Sequence, residues 1–177
     1  MRSLTMLASA MVALTVGSPK SAVAQTTPVA AEFLASYGQV EQKFYQLADA
    51  IPFTKYDWRP AAGVRSVCEV FMHVSVDNYL LGKPLGLAMP KEMEGPTAEK
   101  CLADKPKVVA AMKASFAALN AAVRGMTAAD AEQTYTLFGA TQTKRAWLLA
   151  TAEHAGEHLG QQIAYARMNG IVPPWSK

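Results

Sequence analysis

The sequence carries three histidines, at positions 73, 154 and 158. His154 and His158 stand four residues apart in the stretch Trp147 to Met168, WLLATAEHAGEHLGQQIAYARM. Stepping alternately by four and three from Trp147 picks out Thr151, His154, His158, Gln161, Tyr165 and Met168, the spacing of one helix stripe that faces a core. Two imidazoles one turn apart on such a stripe can grip a single metal ion. His73 falls on the inward face of an earlier helical segment, together with Val70, Asp77 and Leu80. Three buried histidines would each need a partner, because an unpaired buried polar group costs about 1–3 kcal/mol. One shared cation supplies a partner to all three, although an i,i+4 pair alone is also found among ordinary core histidines.

Other side chains near this constellation have weaker chemical signals. Asp77 lies one turn beyond His73 and could bond to it, occupy a fourth metal position or act as the proton-accepting carboxylate. Its competing role is that of a polar residue at the bundle rim. Glu153 and Glu157 neighbour the histidine pair in sequence but project sideways, as a solvated helix face does. Gln161 and Tyr165 continue the inner stripe and could line a pocket or simply pack. Trp147 and Trp175 read as a core residue and a tail anchor, and Met126 as a gap-filler. No serine sits in a nucleophile elbow.

Four amphipathic helices could position these residues. The first is expected over Val29 to Ala50, with Phe33, Tyr37, Val40, Phe44, Leu47 and Ile51 as its seam and Pro52 as its stop. The second starts at Ser66, which forms an S-x-x-E capping box with Glu69, and runs to Leu81 before Gly82 and Pro84. The third spans Lys107 to Arg124 on a seam of Val108, Met112, Phe116, Leu119 and Val123. The fourth follows Thr143 and ends at Asn169-Gly170. Residues 82–106 and 126–142 read as loops. The pattern predicts an all-α four-helix bundle. The link of about 22 residues between helices two and three exceeds a tight turn. It could run back along a helix of about 24 Å at 1.5 Å per residue, leaving helices two and three parallel.

At 177 residues the chain suits one domain with a substantial core. Residues 1–24 read as a signal peptide: Arg2, an apolar run from Leu4 to Val16, and Ala22-Val23-Ala24 as the cleavage site. The run is shorter than the roughly 20 residues a membrane span takes, so no stable anchor is expected after cleavage. The expected destination is a bacterial periplasm. The formal charge of +3 includes Arg2 and Lys20, and the balance left without them is too even for a nucleic-acid footprint. Cys68 and Cys101 are the only cysteines. In an oxidising compartment they would pair, closing a loop worth about 3–4 kcal/mol on the chain-entropy account.

His73, the segment HAGEHLGQQIAYARMNGIVPPWS, Trp58-Arg59-Pro60 and Gly63-Val64-Arg65-Ser66 together resemble the DinB-like superfamily. The match to its pattern lies in one helix-two histidine, the H-x-x-x-H pair, Gly160-Gln161, and Gly170 followed by Pro173-Pro174. The resemblance covers residues 25–177 almost completely. It implies an up-down-down-up bundle with a crossover between helices two and three, and a divalent metal on His73, His154 and His158. Some members resemble transferases that use a low-molecular-weight thiol; the export signal separates this chain from them.

Three functions are consistent with these observations. The first is a metal-dependent hydrolase or transferase acting on a small molecule. Three neutral imidazoles leave the ion's charge in place to acidify a water, and Asp77 is the carboxylate best spaced to take the proton. The loops around Trp58 and Phe138 would shape the pocket. The second is a periplasmic module that holds a metal or small ligand without turnover, and the third a bundle that the metal merely staples. Zinc or nickel leads among the ions, ahead of iron, manganese or copper. A homodimer is compatible with the sequence.

Overall fold

Each long helix begins where the sequence supplies acceptors for its unpaired N–H groups. The structure is a computed structural model that describes residues 26–176; the expected signal peptide lies outside them. Helix α1 (Pro28–Ala50) starts at Thr27, whose hydroxyl accepts from Ala30 N–H, with Pro28 in its first turn. Helix α2 (Val67–Leu81) has the full capping box between Ser66 and Glu69. The carbonyls of Trp58 and Tyr56 accept its next N–H groups, from Val67 and Cys68. Helix α3 (Lys105–Arg124) starts two residues earlier than the seam alone indicates, because Asp104 caps it and Pro106 fits its first turn. Lys105 Nζ reaches back to the carbonyls of Asp49 and Ile51, at 2.6 and 3.1 Å. A cation thereby satisfies the open C-terminal end of α1. Helix α5 (Lys144–Met168) starts at Thr143, which accepts from Ala146 N–H.

These four long helices form the bundle, and ordered pairs of contacts give their directions. Tyr37 meets Asn78 and Phe44 meets Phe71, so α1 and α2 run oppositely. Asn78 meets Ser115 and Cys68 meets Cys101, so α2 and α3 run the same way. Gln162 bonds to Val67 and His154 lies against Asp77, so α5 opposes α2. The α3 seam of Val108, Met112, Phe116, Leu119 and Val123 is fully buried. Phe116 lies among Tyr37, Phe44 and Tyr45 at ring-centroid distances of 5.4–6.0 Å.

Helix α2 is buried on nearly every side, from Val67 to Tyr79 with only Glu69 partly open. Its sequence, VCEVFMHVSVDNYLL, is apolar around much of its circumference, as a central helix requires. The burial arises because the link from residue 82 to 104 lies over it. That link was expected to be a surface connection, yet it buries Pro84, Met93 and Ala98. It also brings the sulfurs of Cys68 and Cys101 to bonding distance, 2.09 Å, with their α-carbons 5.3 Å apart. Gly82 permits the first bend: a Cβ there would lie 2.8 Å from the Asn78 carbonyl oxygen and 2.7 Å from Leu87 Cδ2.

Residues 126–142 are more regular than a loop. A short helix α4 (Ala128–Glu132) precedes strands β1 (Thr134–Leu137) and β2 (Ala140–Thr143), paired antiparallel with Tyr135 opposite Gln142. Phe138 and Gly139 both have positive φ, 53° and 78°, as a two-residue hairpin turn requires. Trp147 Nε1 donates to the Tyr135 carbonyl at 3.0 Å and anchors the hairpin on α5.

Three buried polar side chains at the centre of the core are joined in one network. Tyr37 donates to Asn78 Oδ1, Asn78 Nδ2 donates to Ser115 Oγ, and Ser115 donates to the Met112 carbonyl. Asn78→Ala leaves the Tyr37 and Ser115 groups short of partners, and a loss of about 2–3 kcal/mol is expected in urea denaturation. Glu69 supplies a pH signature. The Ser66 backbone N–H, helped by Arg59 and Lys100 and opposed by partial burial, holds its carboxyl below the usual range. The stabilisation is present above the unfolded value of about 4.3 and disappears as pH falls through the lower folded value. Stability profiles of Glu69→Gln and the parent should therefore converge as the medium is acidified from about pH 5 to pH 3; parallel profiles would contradict this origin.

Candidate metal centre

His73 on α2 faces His154 and His158 on α5, in one cluster where the two antiparallel helices pack. The ring centroids are 5.2 Å apart for His73–His154, 4.5 Å for His73–His158 and 4.5 Å for His154–His158. One nitrogen from each ring lies within 4.8 Å of the other two, close enough for a common ion. His73 is buried, while His154 and His158 are half-buried. The cluster is thus a recess at the edge of the core.

Hydrogen bonds orient two of the three rings. Burial raises the Glu99 carboxyl pKa, but bonds from His73 and Arg65 outweigh it and hold the group below its usual range. The ionised carboxylate can only accept, so His73 Nδ1–H donates to Glu99 Oε1, 2.9 Å away. Glu99 Oε2 accepts from Arg65 Nε at 2.8 Å. His158 Nδ1 lies 2.8 Å from Gln161 Oε1, while Gln161 Nε2 donates to the Tyr165 hydroxyl. That hydroxyl donates in turn to the Arg65 carbonyl. With the amide oriented this way, His158 also donates from Nδ1. Both rings therefore have Nδ1 engaged and Nε2 turned to the recess, the arrangement of metal-ligating histidines oriented by a second layer of acceptors. Burial holds the His158 imidazole pKa below its ordinary value; nearby His73, His154 and Arg65 act in the same direction, and the Gln161 bond opposes them.

Asp77 stands between two of the rings. Its Oδ2 is 3.1 Å from His73 Nε2 and 2.6 Å from His154 Nε2. The second contact is short but misaligned: His154 Nε2 is buried and has no hydrogen-bond partner. A buried nitrogen without a hydrogen-bond partner, beside two further imidazoles and a carboxylate, suits a divalent cation. His73, Asp77 and Glu99 form a second, overlapping group of potential ligand atoms, so Asp77 could either complete the coordination sphere or serve the chemistry beside it.

The other residues singled out by spacing fall into two groups. Gln161 and Tyr165 belong to the hydrogen-bonded layer behind His158, while Glu153 and Glu157 are exposed. Met168 is 63% exposed and is not part of the buried stripe. Trp58 packs edge-on against Tyr165, with centroids 5.3 Å apart. Phe138 is at the exposed hairpin tip. Neither lines the cleft that adjoins the Arg65–Glu99 pair behind His73. That cleft, of about 510 Å³, is bounded in part by Arg59, Arg65, Val76, Glu99 and Lys100. Glu99 escaped the sequence reading altogether, and its position two residues before Cys101 was the available clue.

A family model described as the DinB superfamily matches residues 36–162. No curated protein matches the chain significantly. Among solved structures, a DinB-like protein from Bacillus cereus superposes with a TM-score of 0.69 at 19% identity, over 80% of this chain and 93% of its own. A DinB-like protein from Bacillus subtilis, YjoA, gives 0.65 at 19% identity, covering 85% and 99%. YfiT from Bacillus subtilis, described as a probable metal-dependent hydrolase with an unusual four-helix bundle topology, gives 0.66 at 15% identity, covering 88% and 96%. At these identities the structures establish a shared fold, and the family match extends over most of the chain. The chain belongs to the DinB superfamily.

Proposed function

We propose that the protein is an exported metal-dependent hydrolase or transferase acting on a small molecule, with His73, His154 and His158 holding one divalent ion. The observation that carries this reading is the buried, unbonded Nε2 of His154 facing two histidines whose Nδ1 atoms are already engaged. The description of YfiT as a probable metal-dependent hydrolase supports the reaction class. Three imidazoles accommodate zinc or nickel, and also iron, manganese or copper.

The bound ion would supply Lewis acidity, polarising a substrate or acidifying a water near neutral pH. The chain's own residues supply orientation and proton handling. Glu99 and Gln161 hold the His73 and His158 rings. Asp77, with one oxygen within 3.1 Å of two ring nitrogens, accepts a proton in the recess and relays it towards solvent. The substrate enters through the cleft beside Glu99. The segment 1–24 directs the chain out of the cytoplasm.

Asp77 also supports a second reading. As a fourth ligand it would close the site and make the ion a structural staple. Metal titration and turnover distinguish the two. One zinc or nickel ion per chain is expected, and His→Ala at 73, 154 or 158 should weaken it by more than the roughly 10–100-fold typical of residues behind the ligands. In a screen of hydrolase and transferase substrates, chelation should abolish turnover and metal return restore it. Asp77→Asn should keep the metal while lowering the rate by about 10²–10⁴-fold. Loss of the metal in Asp77→Asn, with no metal-dependent turnover in the parent, would favour the staple.

A further inference from the structure

The residues that orient His73 come from a segment with no regular secondary structure. Glu99 lies between the three-residue helical turn Lys91–Met93 and the start of α3, where no helix or strand ladder fixes its backbone. Two residues on, Cys101 sits against Cys68 in the first turn of α2. Between them, Lys100 is 3.5 Å from Glu69, but its side chain is 68% exposed. Exposed ion pairs of this kind contribute about 0–1 kcal/mol. Arg65, which grips the other Glu99 oxygen, is also substantially exposed. Turn bonds from Ala98 N–H to the Gly95 carbonyl and from Lys100 N–H to the Thr97 carbonyl shape the segment locally; the covalent restraint that ties it to the helix carrying His73 is the sulfur pair.

We propose that Glu99 is a positioning residue for the metal centre and that a Cys68–Cys101 disulfide holds it there, so that metal affinity depends on the oxidation state of this cysteine pair. This inference rests on the three-histidine metal reading. Glu99 holds His73 Nδ1 and so keeps Nε2 turned towards the other two histidines. With the bond intact, the tether keeps the carboxylate within reach of Nδ1. Reduction by a dithiol transfers two electrons and two protons, breaks the S–S bond, leaves two cysteine thiols and converts the dithiol to its own disulfide. The 99–101 segment then regains conformational freedom, and His73 loses a fixed acceptor. The same bond that staples the crossover thus couples the site to an oxidising compartment.

The test is zinc affinity, measured by competition with a chromophoric chelator on the oxidised full-length mature chain and four variants. Glu99→Ala should lose about 10–100-fold in affinity, and Glu99→Gln, which keeps a neutral acceptor for Nδ1–H, should recover part of it. The double replacement Cys68→Ser with Cys101→Ser removes thiols that could bind zinc themselves, and should also lose about 10-fold or more. Adding Glu99→Ala to it should cost little further, because the tether acts through that carboxylate. Dithiol treatment of the parent should reproduce the fall seen in the serine variant once thiol-bound zinc is subtracted. Full affinity in the serine variant, even with a lowered melting temperature, would mean that the sulfur bond is only a staple and would overturn the proposal, as would additive losses in the combined variant. Failure of the oxidised parent to bind zinc, nickel or cobalt would overturn both this inference and the metal reading. Binding that requires the histidines but ignores Glu99 would overturn this inference alone.

Discussion

Three imidazoles can converge inside a small bundle only if their remaining nitrogens, and the polar atoms around them, are also provided for. That condition governs the region from α2 to α5. A continuous run of bonds leads from His158 through Gln161, Tyr165 and the backbone of Arg65, then from the Arg65 side chain through Glu99 to His73. It passes around the back of the cluster and leaves the Nε2 atoms directed into it. Each member is fixed by its neighbours, so the ring orientations are set before any ligand arrives. His154 Nε2 is left without a partner inside this network. Burying such an atom is costly unless something binds it, and a cation is the partner that all three rings can share.

The helices meet the condition by using their least regular neighbours. Helix α2 has an apolar sequence and carries His73, Asp77 and Asn78 at buried positions. On the α1 and α3 sides, Asn78 is satisfied by Tyr37 and Ser115. On the other side, the crossover supplies Glu99. Helix α5 is tied to the start of α2 by Gln162, whose Nε2 donates to the Val67 carbonyl at 2.6 Å. This contact sets the height of His158 relative to His73. The bundle core and the cluster are consequently adjacent parts of one packed arrangement.

The long helices were readable because their ends carry local chemistry: Ser66 with Glu69, Thr143, Pro52 and the Asn169-Gly170 stop act within a few residues of themselves. His73 and Asp77 were readable from i,i+4 spacing, and the histidine pair likewise. The stripe drawn through α5 failed at its far end for a geometric reason. Alternating steps of four and three average 3.5 residues per turn, and an ordinary helix drifts from that repeat by about 20° per heptad. Over the length of α5 the buried face moves to Ala155, Leu159, Gln162 and Ala166, leaving Met168 outside. The hairpin was obscured because its turn is Phe138-Gly139, whereas Asn-Gly or Asp-Gly would have announced it. Glu99 was invisible for a different reason: its role depends on contacts with Arg65 and His73, distant in sequence, from a segment without periodicity.

The central claim is that three imidazole nitrogens, one from each histidine, surround a single ion. X-ray absorption spectroscopy at the metal edge of the zinc-loaded, oxidised protein measures this directly. The account predicts three nitrogen scatterers at about 2.0–2.1 Å with the outer-shell pattern of imidazole rings, and no sulfur neighbour. A shell with one imidazole or none, or with sulfur at about 2.3 Å, would contradict it.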